Sequence, residues 1–165
     1  AARALRKIAD APMHMTPCTT VLSLAIAGLL LAGGASAQQT GLPVIPLNAG
    51  LHVIQAEVAN TNATRAMGLM HRKSMEANRG MVFDFEVAAQ HCMWMRNTLI
   101  PLSVAFMDQS GKILNIADMI PHDETSHCSS GPARYALEMN QGWFASKGVK
   151  AGGKIAGLEK IPKHR

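Results

Sequence analysis

The stretch HCMWMR, at residues 91–96, places several side chains that can bind a metal next to one another. If the stretch is a β-strand, alternation puts His91, Met93 and Met95 on one face and Trp94 on the other. Imidazole nitrogens and thioether sulfurs suit Cu(I), so one hypothesis is a periplasmic soft-metal protein that binds copper through these three residues. The alternative is that the methionines fill the core. We favour the alternative, because Trp94 faces away from that site, and we expect no metal and no cofactor.

Two cysteines outside the N-terminal segment are predicted to form a disulfide. Cys92 and Cys128 are far apart in the sequence, whereas redox-active pairs usually have the C-x-x-C spacing. Disulfides form and persist in oxidising compartments. We therefore expect a structural bond between Cys92 and Cys128.

A group of polar and charged residues could form a binding groove. The sequence contains no G-x-S-x-G, no H-E-x-x-H, no P-loop and no G-x-G-x-x-G, so no catalytic motif supports an enzyme. A tryptophan beside hydrogen-bonding side chains is a common ligand platform. The sequence favours a small binding or interaction module over an enzyme. The residues of the candidate groove are His71, Arg72, Trp94, Arg96, Asn97, Thr98 and Glu138.

Residues 1–37 are predicted to be a signal peptide. Basic residues come first, an apolar run spans residues 21–32, and Ala-Ser-Ala at 35–37 is a typical cleavage pattern. The apolar run is shorter than the ~20 residues that a membrane span needs. We expect cleavage after Ala37, no stable membrane anchor afterwards, and an exported protein that is periplasmic or extracellular.

The composition indicates a folded domain that does not bind nucleic acid. Hydrophobic residues make up 48% of the chain, while aromatic residues make up only 4%, so the core must use aliphatic and methionine side chains. The formal net charge of +5 is spread along the chain without a basic run. An exported protein also meets no genomic nucleic acid. We expect the partner to be a small molecule or a protein.

The elements that must position these residues are short. Residues 38–50 read as a lead-in segment and residues 51–165 as a single globular domain. Asn140 is a candidate N-cap for the second of two helices, and Gly148 a candidate stop. The fold class is α+β and β-rich: a small, partly closed β-barrel of about seven short strands with two short helices. The predicted strands are 51–59, 81–85, 92–95, 102–107, 112–120, 134–139 and 154–158, and the predicted helices are 62–70 and 140–148.

Four blocks of the sequence resemble domain-of-unknown-function family 192. The blocks TRAMGLMHRKSMEANRGMVFDF, MWMRNTLIPL, VAFMDQSGKILNIADM and PARYALEMNQGWFASKGVKAGGKI occur in the family's order and spacing. The resemblance implies a small, single, β-rich domain with short helices, often behind an export signal, and it implies no activity. The matching positions are Arg65, Gly68, Leu69, Met70, Arg72, Gly80, Met81, Trp94, Met95, Asn97, Thr98, Pro101, Glu138 and Gly142.

The sequence departs from the family pattern at two places. The family usually has an acidic residue after Ile-Pro-Leu, where this chain has Ser103. It also usually has Gly-Asp near the end, where this chain has Gly153 followed by Lys154. The pair His91–Cys92 lies outside the general pattern as well, so the resemblance does not support copper binding as a property of the family.

Overall fold

Nine β-strands and two short helices are found in residues 37–163, the part of the chain that this computed structural model describes. Seven strands form one sheet and two form a separate ribbon. The elements are β1 (Val44–Ala49), β2 (His52–Ala59), α1 (Asn62–Met67), β3 (Arg79–Ala89), β4 (Cys92–Met93), β5 (Leu102–Met107), β6 (Ile113–Met119), β7 (His127–Cys128), β8 (Ala133–Asn140), α2 (Trp143–Ser146), β9 (Ile155–Ala156) and a 3₁₀ turn (Leu158–Lys160).

The seven-stranded sheet curls until its two edge strands meet. The strand order is β6-β5-β8-β3-β2-β1-β9, and only β2 and β3 pair in parallel. At the junction of the edges, the Ile113 amide donates to the Gly153 carbonyl (2.8 Å) and the Ile155 amide donates to the Gly111 carbonyl (2.9 Å). The predicted fold class, a β-rich α+β domain with a partly closed barrel, is confirmed.

Apolar side chains cover both faces of the sheet. Along β8, Leu137 and Met139 belong to one buried cluster, together with side chains of β1, β2 and α2. Ala136 belongs to a second cluster, formed mainly by side chains of β3 and β5 together with Leu69. Because side chains alternate along a strand, Glu138 faces the second cluster. The domain is one compact unit.

The segment predicted to be a lead-in, residues 38–50, contains strand β1. This strand pairs with β2 over its full length. Proline has no backbone N–H and cannot donate a hydrogen bond to a neighbouring strand. Pro46 is tolerated in β1 because β9 pairs with β1 only at Asn48 and Ala49, so the edge beside Pro46 needs no donor. The start of the globular domain, predicted at residue 51, is therefore corrected to include β1.

The first predicted helix is present and begins at the predicted residue, but it ends earlier than predicted. Thr61 is the N-cap, and Thr61 and Thr64 form a capping box in which each side chain accepts a hydrogen bond from the other residue's amide. The helix α1 ends at Met67 and not at residue 70, because Gly68 adopts a positive φ of 49°. That conformation is costly for most residues other than glycine.

The second predicted helix is also shorter than expected. Asn140, predicted to be its N-cap, is the last residue of β8, and its side chain donates to the carbonyls of Met75 and Glu76. The helix α2 follows Gly142 and contains only Trp143–Ser146. The sheet therefore continues to a position where the sequence pattern predicted a helix cap.

Strands β4 and β7 form the separate two-stranded ribbon. Cys92 lies opposite Cys128, and their Sγ atoms are 2.01 Å apart, so the predicted disulfide is present. The predicted strand 92–95 ends at Met93. The following residues leave the ribbon in a turn, where the Met95 amide donates to the Asp123 carbonyl (2.8 Å).

Candidate functional site

A small pit lies between the turn after α1 and the loop at residues 94–98. Three residues of the predicted groove line it together, namely Trp94, Thr98 and Glu138. Its volume is about 30 Å³, which is enough for one or two water molecules. The remaining wall comes from α1, the turn that follows it and one residue of β3: Arg65, Ala66, Met67, Gly68, Leu69, Met70 and Phe83. We call this feature the Glu138 pit.

Glu138 supplies the carboxyl group of the pit from the middle of β8. Its side chain is only 3% exposed, and its register partners on the neighbouring strands, Met81 and Val104, are fully buried. Within residues 37–163, no hydrogen bond or ion pair reaches the Glu138 carboxyl. Burial raises the pKa of Glu138 to about 8. At neutral pH the group is therefore mostly a neutral acid, with an O–H donor and an accepting oxygen.

Trp94 provides a partly exposed aromatic surface beside the pit. Its side chain is 47% exposed, and the Arg96 guanidinium carbon lies 5.8 Å from the centre of the Trp94 ring. This is the distance of a cation–π contact. Arg96 is itself exposed, so the contact positions a positive charge close to the tryptophan.

Asn97 and Thr98 shape the loop that carries Trp94. The Thr98 amide donates to the Met95 carbonyl (3.0 Å), which closes a tight turn. Asn97 has a positive φ of 54°, a conformation that asparagine adopts more readily than most residues. Its carbonyl accepts a hydrogen bond from the His71 amide (2.9 Å). His71 therefore joins the two walls of the pit through its backbone.

Arg72 does not join the pit. Its guanidinium donates to both oxygens of the Glu57 carboxylate, each at 2.6 Å, and also to the Gln39 carbonyl (3.3 Å). Both side chains of the ion pair are largely buried. Of the seven residues predicted to form the groove, the structure brings three together in the pit, places Arg96, Asn97 and His71 around it, and separates Arg72.

The three residues of the copper hypothesis all contact other parts of the domain. The His91 ring stacks on Phe85 with centroids 3.9 Å apart, and His91 Nε2 is 3.0 Å from the Val87 carbonyl. Met95 is fully buried in the second apolar cluster, and Met93 packs against that cluster. Each side chain thus has a packing role, and no contact favours copper over the core.

Ser103 has a role that the sequence did not reveal. Its hydroxyl donates to Asp118 Oδ1 (2.5 Å) and accepts a hydrogen bond from the Gly142 amide (2.9 Å). Asp118 thus supplies a carboxylate next to Ser103 from the neighbouring strand. The register of the hairpin shifts between Phe106 and Met107, so counting residues outward from the turn does not place Ser103 opposite Asp118.

In the described part of the chain, no three His, Cys, Asp or Glu side chains are grouped so that they could hold a metal ion. Of the helices in residues 37–163, none has the length and apolar character to cross a membrane.

Comparison with known proteins identifies relatives of the whole domain. The sequence model of domain-of-unknown-function family 192, described as "Uncharacterized ACR", matches residues 44–157. Comparison with curated proteins gives no significant match.

Two solved structures are similar to this one over most of their length. A protein of unknown function from Novosphingobium aromaticivorans DSM 12444 is 36% identical with a TM-score of 0.69, and the match covers 73% of this chain and 90% of that one. A "putative transcription regulator" from Sinorhizobium meliloti 1021 is 32% identical with a TM-score of 0.69, and the match covers 72% of this chain and 97% of that one. The likeness therefore extends across nearly all of each of these two chains.

Proposed function

We propose that this chain, which belongs to domain-of-unknown-function family 192, is an exported binding module that anchors one polar group of its ligand in the Glu138 pit. The observation that carries the proposal is a buried carboxyl that has no hydrogen-bond or ion-pair partner among the described residues and lines a pit beside a partly exposed tryptophan. An unpaired buried polar group costs about 1–3 kcal/mol. A ligand that completes the missing hydrogen bonds recovers part of that cost.

The size of the pit limits what can enter it. Pockets that enclose a drug-sized ligand have volumes of roughly 300–1,000 Å³, whereas the Glu138 pit holds about 30 Å³. Only a small terminal group, such as a hydroxyl or an amide end, fits inside. The rest of the ligand must lie on the outer surface, where Trp94 offers a flat apolar face for stacking.

The charges around the pit favour a neutral terminal group. The Glu138 carboxyl is mostly neutral at pH 7, so it does not attract a cation from solution. Arg65 lines the pit, and Arg96 lies over Trp94 at the edge. The Arg65 guanidinium is paired with Glu86, so the exposed Arg96 is the cation that repels an incoming ammonium. A neutral hydroxyl or amide can donate to and accept from a protonated carboxyl without this repulsion.

Export of the module is supported by two independent features. The N-terminal sequence has the order of basic, apolar and small residues that signal peptides have. The Cys92–Cys128 bond is typical of proteins in oxidising compartments. In addition, the Gln39 side chain donates to the carbonyls of Thr64 and Gly68, so the chain is already held by the domain two residues after the expected cleavage point.

Binding can be tested by nuclear magnetic resonance on the chain that begins at Gln38. A panel of hydroxylated, amide-bearing and cationic small molecules is titrated while the Trp94 indole N–H and the Gly68 amide are observed. We expect shifts at both positions with hydroxylated or amide-bearing compounds. Glu138→Gln keeps a neutral donor and acceptor and should retain these shifts, whereas Glu138→Leu, similar in size but apolar, should lose them.

The matched control is Glu159→Leu, which removes an exposed glutamate of the 3₁₀ turn, no residue of which lines the pit. It should leave the shifts unchanged. The proposal is wrong if no compound shifts the pit signals, or if the Glu138→Leu protein gives the same shifts as the wild type. Export is tested separately by fractionating cells that express the full chain, with a mature mass beginning at Gln38 expected in the exported fraction.

A further inference from the structure

A second hollow shares no lining residue with the Glu138 pit. It has a volume of about 540 Å³ and is formed by the turn between β1 and β2 together with the segment after α2. Its polar lining consists of His52, Lys147, Lys150 and Lys154, and no acidic residue lines it. We call it the lysine groove.

The three lysines of the groove have no partner within the domain. Among the described residues, no carboxylate or carbonyl accepts a hydrogen bond from the Lys147, Lys150 or Lys154 ammonium groups. Lys160, by contrast, donates to the Pro46 carbonyl (3.4 Å). The groove therefore concentrates positive charge that the protein does not neutralise, and such a surface attracts anionic partners.

An apolar side chain stands at the edge of this charged groove. Leu51 lies at the turn between β1 and β2 and is 98% exposed, the highest value for a large hydrophobic residue in residues 37–163. Val53, on the same hairpin, is 52% exposed. Exposed apolar residues surrounded by polar ones commonly mark interaction sites. Burying Leu51 against a partner would therefore be favourable.

The turn that carries Leu51 is firmly attached to the domain. Ala49, just before the turn, pairs with Ile155 of β9. The His52 ring, just after it, contacts Trp143 edge-on with centroids 6.2 Å apart. Leu51 is therefore held at a fixed place beside the lysines.

We propose that the lysine groove and Leu51 dock this protein on the surface of a membrane that contains anionic phospholipids. Lysines near such a surface gain electrostatic free energy from the lipid phosphates. A leucine at the same surface can enter the apolar boundary below the headgroups. A soluble anion would use the lysines but would have no use for Leu51, so the combination favours a lipid surface over a free phosphate. This contact is peripheral and does not depend on the Glu138 pit.

The test is co-sedimentation of the chain beginning at Gln38 with lipid vesicles. This chain carries the whole described domain and lacks the apolar run at residues 21–32, which could bind lipid by itself. We expect binding to vesicles of phosphatidylglycerol and phosphatidylcholine, little binding to pure phosphatidylcholine, and weaker binding as salt is raised. The double variant Lys147→Glu/Lys150→Glu should bind at least about tenfold more weakly, and Leu51→Ser about tenfold more weakly.

Matched controls separate these effects from net charge and surface hydrophobicity. Lys73→Glu/Lys163→Glu makes the same charge change outside the groove, and Val87→Ser removes another exposed apolar side chain. Both controls should bind like the wild type.

Three results would overturn the proposal. The first is equal binding to anionic and neutral vesicles, or to neither. The second is a Leu51→Ser protein that binds as tightly as the wild type. The third is inorganic phosphate that perturbs the groove lysines in a nuclear magnetic resonance titration while the vesicles remain unbound, which would make the groove a site for a free anion.

Discussion

Glu138 is kept neutral by apolar neighbours and not by another charge. Its alternation with Leu137 and Met139 predicts that it points to the other side of the strand, and the two buried clusters confirm this. Arg134, the arginine closest to it in the sequence, pairs with Asp84 at 2.8 Å instead. Desolvation alone therefore raises the pKa of Glu138.

The pH dependence of stability should report this raised pKa. The pKa of Glu138 is about 8 in the folded protein, against an ordinary value of 4.5 for a solvated glutamate. Its contribution to stability is fully present below pH 4.5 and is lost as the pH rises towards 8. The Glu138→Gln protein should lack this loss and exceed the wild type in free energy of unfolding by a few kcal/mol above pH 8. Urea unfolding across this pH range measures the difference, and parallel curves for the two proteins would contradict the expectation.

Arg72 is a second residue whose role differs from the one predicted from the sequence. The sequence placed Arg72 in a binding groove, whereas the structure shows it bound to a buried carboxylate through two hydrogen bonds. Glu57 occurs in an alternating strand pattern that gives no indication of this partner. The contact joins β2 to the segment after α1, and sequence spacing does not predict it.

Removing one partner of the Arg72–Glu57 pair should destabilise the domain more than removing both partners. Arg72→Met leaves the Glu57 carboxylate buried without its partner and should lower the free energy of unfolding by about 3–5 kcal/mol. The double variant Arg72→Met/Glu57→Leu removes both charges and should recover most of that loss. Chemical unfolding of the single and double variants measures the coupling. A double variant that is as unstable as Arg72→Met would contradict this expectation.

At the scale of elements, the β4–β7 ribbon places the loop that carries Trp94. The disulfide joins the two strands of the ribbon, and the Met95 amide donates to the Asp123 carbonyl directly after it. The sequence predicted the bond from cysteine count and spacing. It did not predict that the strand ends at Met93, because that end depends on a backbone contact with the distant loop around Asp123.

Removing the disulfide should lower stability and loosen the loop. The double variant Cys92→Ser/Cys128→Ser should lose roughly 3–4 kcal/mol of unfolding free energy, as expected for a closed loop of this size. Added reductant should destabilise the wild type to a similar degree and leave the variant unchanged. The indole N–H signal of Trp94 should also broaden in the variant. A variant as stable as the wild type would mean that the ribbon is held by its other contacts.

At the scale of the whole molecule, the sequence predicted the fold class, most strands and the family. Periodicity located β5 and β6 well because each is a single apolar segment next to a clear turn. Strand β1 was missed because Pro46 and nearby glycines are typical of loops, although an unpaired strand edge accepts proline.

The candidate site was predicted only in part, because its walls come from distant parts of the chain. The pit residues come from α1 and the turn after it, from the loop that carries Trp94 and from β8, and they meet only in the folded domain. The sequence indicated Trp94, Thr98 and Glu138 by residue type and by resemblance. The sequence alone gives no distances between side chains. It therefore could not show that Arg72 lies outside the pit or that Leu69 and Phe83 line it.

The junction between β6 and β9 has a consequence for when the domain can finish folding. The residues around Gly111 and Ile113 meet residues 153–155, which are made much later. Until that late segment arrives, the edges of β1 and β6 expose unpaired backbone groups that can pair with another chain. Distant contacts of this kind also form slowly. A nascent chain therefore keeps strand edges open to pairing with another chain until its last strand is added, and a holding chaperone can protect it up to that stage.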